Sequence, residues 1–169
     1  MAKHVVVCPY DEKWAKAFED IKAELSPALG ELALSIEHVG STSVKGLSAK
    51  PIIDIDVVIS DDTDMKDVVE ALGSIGYIHE GDQGIKGREA FKYEGKEHLM
   101  KHHLYVCAQS AGELKRHLTF RDYLRTHPEA VQQYSTVKEE GAKLYPYDID
   151  SYIRHKSPFI ESIYEKLCL

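Results

Sequence analysis

Twelve residues separate Ser41 from Asp54, and the two ends of that interval carry the side chains best suited to chemistry. The first end, His38-Val39-Gly40-Ser41-Thr42-Ser43, reads as the close of a strand followed by a turn of small residues. Glycine lets backbone approach an anion closely, and hydroxyl side chains add donors, so Gly40, Ser41 and Thr42 are candidates for holding phosphate. Thr42 and Ser43 could equally cap a short helix, and one helix start can serve both purposes. The second end is Asp54-Ile55-Asp56, two carboxylates at i, i+2. On a strand they project from one side with Cα atoms about 6.6 Å apart. At an exposed edge such a pair serves solubility alone. Inside IIDIDVVI, however, the strand is expected to be central and buried, where two like charges are costly without a compensating cation. Mg²⁺ or Mn²⁺ bound by Asp54 and Asp56, against phosphate oxygens, turns that repulsion into attraction. A phosphate cradle facing an acidic pair suits a metal-bound nucleoside triphosphate.

Cations near such a site would hold the polyphosphate. Arg88 emerges from a Gly-rich stretch, and its planar fork suits phosphate. His117, Arg121 and Arg125 recur at i, i+4, i+8, a spacing that more often marks a solvated helix face. Turned toward the aspartates instead, Arg121 would face the triphosphate. Lys138, one turn beyond Tyr134, is a similar candidate, whereas Lys50 is expected to reach solvent. His98, His102 and His103 suggest zinc by type, but His102 and His103 fall on opposite faces of a strand, which argues against one shared ion.

The elements that must position these residues follow from periodicity. Asp11 can cap a helix to about Leu25, with Trp14, Phe18, Ile21 and Leu25 as its apolar stripe. Val5–Cys8 reads as a brief strand, and Ala28–Ala33 leads into another at Leu34–Val39. Ile52–Ile59 is the strongest strand, with Ile53, Ile55, Val57 and Ile59 on its apolar face. Asp61-Asp62-Thr63-Asp64 supplies an N-cap and first-turn acids for a helix from Met65 to about Ile75, ended by Gly76. A hairpin joins strands near Tyr77–His79 and Glu89–Tyr93. In the strand Leu99–Cys107, Lys101, His103 and Tyr105 share the polar face. Helices at Ala111–His127, Pro128–Leu144 and Ile149–Leu167 complete an α+β chain whose helical tail begins at about residue 110.

The bulk composition sets outer bounds. A chain of 169 residues fits one domain, residues 1–169, able to bury about 70% of its unfolded surface. Three cysteines in no metal-binding spacing read as reduced thiols of a cytoplasmic protein. No apolar run is long enough to span a membrane. A net charge of −7 argues against nonspecific nucleic-acid binding, though not against a local basic pocket.

The stretch HVGSTSVKGLSAKPIIDIDVVI resembles the signature of the GrpB-like family, a branch of the nucleotidyltransferase-fold superfamily. Pro9-Tyr10, Trp14, Gly87-Arg88-Glu89-Ala90-Phe91, His103-Leu104-Tyr105-Val106, Phe120–Arg125, Tyr134, Lys138 and Lys156-Ser157-Pro158-Phe159 are similar too, so the likeness runs through nearly the whole chain. It implies a nucleotidyltransferase-like mixed β-sheet flanked by helices, with Gly40 and Ser41 at nucleotide phosphates and Asp54 and Asp56 on a divalent metal. Active members of the superfamily carry a third carboxylate on a neighbouring strand. Here no acid stands in Leu99–Cys107, and His103 occupies the corresponding place, either as metal ligand or general base or as a partner of a buried carboxylate. The resemblance therefore supports a metal-dependent nucleotidyltransferase acting on a nucleoside triphosphate and an unknown acceptor. The alternative is a noncatalytic nucleotide-binding or interaction module; a metal-dependent phosphohydrolase is a third option.

Overall fold

The computed structural model describes residues 4–169. Five strands, β1 (Ser35–Val39), β2 (Ile53–Ile59), β3 (Tyr77–Gly81), β4 (Arg88–Tyr93) and β5 (His102–Ala108), form one sheet in the order β1-β2-β5-β4-β3. Only β2 and β5 run parallel; the other pairs are antiparallel. β2 is therefore interior, as its β-branched run requires, and the aspartates sit between two neighbours.

One face is closed by α1 (Lys13–Leu29) and α2 (Met65–Gly73). Trp14, Phe18, Ile21 and Leu25 of α1 meet Ile53, Ile55 and Val57 of β2, with Leu104 and Val106 of β5. α1 runs past the expected end at Leu25 and keeps Pro27 within its last turn; Gly30–Leu32 follows as a single 3₁₀ turn. Asp11 accepts from the Lys13 amide at 2.9 Å and Asp64 from that of Lys66, so both sequence-assigned caps form. α2 ends at Gly73 rather than near Ile75. Val5–Cys8 forms no strand; Cys8 makes an isolated bridge to Ala49.

The opposite face carries Asp54, Asp56 and Val58 and meets the helical tail: α3 (Gly112–Arg125), α4 (Pro128–Leu144) and α5 (Ile149–Lys166). Val44 and Leu47, just past the glycine-serine turn, pack with Leu124, Val131 and Tyr134. Tyr134 in turn stacks on Phe159 with ring centroids 4.9 Å apart. Burying both aliphatic residues removes their apolar area from water and fastens the turn to the tail. At Gly141 a Cβ would lie 3.0 Å from His155 and 3.1 Å from Tyr152, so a larger residue there would push those side chains back by a few tenths of an ångström where α4 meets α5. No described helix is long and apolar enough to cross a membrane, and none of the three cysteines is in a disulfide.

Candidate functional site

Register places Asp54 beside Val39 on β1 and His103 on β5, and Asp56 beside Glu37 and Tyr105. The two carboxylates share a face but not an environment. The Asp54 side chain is 34% exposed, whereas that of Asp56 is wholly buried. Each gives one oxygen to a histidine: Asp54 Oδ1 lies 3.0 Å from His103 Nδ1, and Asp56 Oδ2 lies 2.6 Å from His117 Nδ1. The second oxygen of Asp56 has no partner, and that of Asp54 faces Gly40 so closely that a Cβ there would overlap it. Gly40 has φ +73° and ψ −173°, a backbone region essentially confined to glycine. The turn therefore abuts the acidic pair.

Beyond the turn lies a cleft of about 220 Å³. Ser41, Asp54, Lys50, Lys138, Tyr152 and Lys156 line it together. Lys138 is only 2% exposed; its ammonium donates to Ser41 Oγ and reaches the Ser48 carbonyl at 3.4 Å. Lys50 and Lys156 lie 5.7 and 5.3 Å from the centre of the Tyr152 ring. Burial, reinforced by the charge of Lys50, lowers Lys156 to about 8 despite the opposing pull of Asp54. Burial also takes Lys138 well below the ordinary lysine value and lowers Lys50. Converging ammoniums cost free energy that an anion would offset.

His117 is doubly engaged, since Nε2 meets Glu113 Oε1 at 3.1 Å while Nδ1 meets Asp56. Both nitrogens can donate only in the imidazolium form. Burial opposes that form, but the hydrogen bond and charge of Asp56, with Glu113, outweigh it and raise the pKa. The His117-Arg121-Arg125 stripe thus faces inward, contrary to the solvated reading. Arg121 is not brought to the cleft: it binds Glu37 Oε1 and the His38 carbonyl, each at 3.1 Å. Arg125 grips the Ser43 carbonyl at 2.9 and 3.0 Å. Lys50 lines the cleft rather than reaching out to solvent, a second correction.

Thr42 lines the cleft, but its hydroxyl already meets His38 Nε2 at 2.9 Å and points to the Ile52 carbonyl. Burial, with the charge of Arg125, lowers His38 to about 4, so it is neutral at pH 7. Arg88 stands on the other side of Asp54, in a depression shared with Gly40, Tyr105 and His117, its guanidinium 4.1 Å from the Tyr105 ring centre. His102 points away from His103 to Tyr77 Oη at 2.7 Å. Among the described residues no group of three or more His, Cys, Asp or Glu side chains could hold a metal ion. Asp54 and Asp56 nonetheless fit Mg²⁺ or Mn²⁺, because each retains one carboxylate oxygen and these ions fill their shells with water and phosphate oxygens.

Sequence reading missed Lys156, Glu37 and the partnership of His117 with Asp56. Lys156 had a local signal, Tyr152 one turn before it on the same helix face. Glu37 is a third acid on a strand next to Asp56, on β1 rather than β5, and Arg121 neutralises it.

A mixed sheet with paired strand carboxylates beside a glycine-serine turn defines the nucleotidyltransferase-like class of fold. The chain belongs to the GrpB family, whose model, described as GrpB protein, matches residues 4–166. Glutamate-rich protein GrpB of Alkalihalophilus pseudofirmus is 34% identical over 169 residues, spanning 96% of this chain and 95% of that protein. YqkA of Bacillus subtilis, a UPF0157 protein, is 34% identical over 163 residues; the match spans 96% of this chain but only 47% of YqkA. The crystal structure of conserved protein GrpB from Enterococcus faecalis superposes with a TM-score of 0.83 at 34% identity, covering 95% of this chain and 96% of that one. Cid1 poly(U) polymerase with MgGTP bound gives a TM-score of 0.57 at 14% identity over 80% of this chain and 44% of that one, a likeness of fold alone.

Proposed function

We propose that this protein binds a nucleoside triphosphate together with Mg²⁺ or Mn²⁺ and transfers the nucleotidyl group to an acceptor hydroxyl. The observation that carries this reading is the convergence of Lys50, Lys138 and Lys156 on one cleft that Ser41 and Asp54 also line. Cationic side chains gathered where burial already disfavours their charge suit a polyanion better than any neutral ligand. In this reading Ser41, the Gly40 backbone and the lysines hold the β- and γ-phosphates, while Arg88 serves the far side of Asp54. Asp54 and Asp56 would hold the cation, which would neutralise phosphate charge as the bond to the leaving group lengthens. The acceptor oxygen attacks the α-phosphorus, the bond to the β-phosphate breaks, and pyrophosphate leaves with the electron pair. His103, half exposed and held by Asp54, receives the hydroxyl proton. A fold shared with a polymerase solved with MgGTP is in keeping with this reading.

Calorimetric titration of the four nucleoside triphosphates, with and without Mg²⁺ or Mn²⁺, tests it. Asp54→Asn should abolish the metal-dependent part of binding, and Lys156→Ala should weaken binding with or without metal. Wild-type affinity in both variants would sink the assignment.

One observation favours a second reading, a noncatalytic nucleotide-binding or interaction module. Arg121 neutralises Glu37, the third acid beside the pair, so it is not free to help activate an acceptor. Thermal stabilisation by MgATP without pyrophosphate release would select this module.

A further inference from the structure

The sheet face that carries Asp54 and Asp56 is only half covered. Leu114 of α3 packs on Val58 and Cys107, toward the ends of β2 and β5. On the β3 side the face stays open as a groove of about 480 Å³. Ala90 and Tyr105, opposite each other on β4 and β5, form its floor, with Lys92, Lys101 and Glu80 around it and His103 at its inner end.

We propose that this groove is the acceptor site and that it takes one small molecule bearing a phosphate or similar anionic group beside its reacting hydroxyl. The proposal rests on the nucleotide reading above. Its first support is position. His103 lines both the lysine cleft and the groove and is bonded to Asp54, so the two depressions meet beside Asp54. In-line displacement needs nucleophile and leaving group on opposite sides of the phosphorus, and this arrangement supplies two such sides. The second is size: the groove lies within the range of roughly 300–1,000 Å³ that suits a single small ligand. The third is charge. Lys92 and Lys101 are exposed there, and Glu80 is the one acid in the lining, on a chain whose net charge is −7. Local positive charge set against that overall sign complements an anion. Ala90 makes the room, since any larger residue would rise from the floor.

The test follows backbone amide resonances of the isotopically labelled full chain during titration with ribose 5-phosphate, with ribose, and with a short single-stranded oligoribonucleotide. Ribose 5-phosphate should move the amides of Ala90, Lys92 and Tyr105, and ribose should not. Lys92→Glu should raise the apparent Kd about five-fold or more, as expected for reversing one exposed charge. Ala90→Leu should abolish the shifts by filling the floor, and the Lys92 variant, altered only at an exposed side chain, keeps the test alive if that protein fails to fold. Equal shifts from ribose, no groove shifts from ribose 5-phosphate, or tighter binding of the oligoribonucleotide in the groove would each overturn the proposal. A parallel MgATP titration read at Ser41 and Lys156 separates the two readings. Shifts there without a groove response overturn the acceptor site alone, whereas their absence overturns the donor reading itself.

Discussion

Asp54 and Asp56 look equivalent in sequence, yet substitution should separate them. Asp54 is partly exposed, so Asp54→Asn should leave thermal stability unchanged or slightly raised while removing metal-linked nucleotide binding. Asp56 is sealed and paired with His117. Asp56→Asn should cost about 2 kcal/mol in denaturant unfolding, because it removes the nearer of the two carboxylates that hold the half-buried His117 imidazolium. The pH dependence has a definite sign. His117 has a raised pKa, so its stabilisation is complete below the ordinary histidine value of 6.5 and fades as pH climbs through the folded value. His38 works in the opposite sense: lowered to about 4, it withdraws stability as pH falls from 6.5 toward 4, by up to about 3 kcal/mol. His117→Gln should therefore flatten the alkaline limb of the stability profile, leaving the acid limb in place. If wild type and His117→Gln lose stability in parallel above pH 6.5, the pairing with Asp56 contributes nothing. Lys156, at about 8, offers a third check. A bound phosphate favours its charged form, so nucleotide binding near pH 8 should take up protons, visible as a binding heat that varies with buffer ionisation enthalpy.

The turn at Gly40 is where local sequence and tertiary demand coincide. Gly40→Ala combines a glycine-only backbone with a collision against Asp54, and should cost about 3 kcal/mol while displacing the carboxylate. Leu47→Ala, at a fully buried contact between turn and tail, should cost about 2–5 kcal/mol and loosen the cleft without touching it. Both are measurable by chemical denaturation. This turn and the paired aspartates were legible because their spacing is local and their residue types are restrictive. The caps at Asp11 and Asp64 and the two-residue alternation of β2 were legible for the same reason. β5 begins at His102, not Leu99, because the apolar Leu99-Met100 pair packs against the core outside the sheet ladder. The pairing of β5 with β2 had no local signal, since those two strands are distant in the chain. The inward turn of the His117-Arg121-Arg125 stripe was hidden likewise, because its partners Asp56, Glu37 and Ser43 all lie more than sixty residues earlier. Periodicity reports how a helix is striped, not which neighbour each stripe meets.

Sheet and tail share a core around Leu47, Leu124 and Tyr134, and the cleft draws Ser41 and Asp54 from one and Lys138 and Lys156 from the other. Ending the chain near residue 110 should therefore expose Val44 and Leu47 and give a protein without cooperative unfolding. The setting of that cleft has a kinetic consequence. An approaching polyphosphate meets a net-negative body before it reaches the lysines, and dissolved ions shorten the reach of that repulsion to about 10 Å at 0.1 M. Association measured by stopped flow should quicken as salt rises from a few millimolar, while escape quickens too because the lysine contacts weaken. Affinity would then peak at intermediate ionic strength, unlike the monotonic weakening that a uniformly basic receptor shows toward its anions.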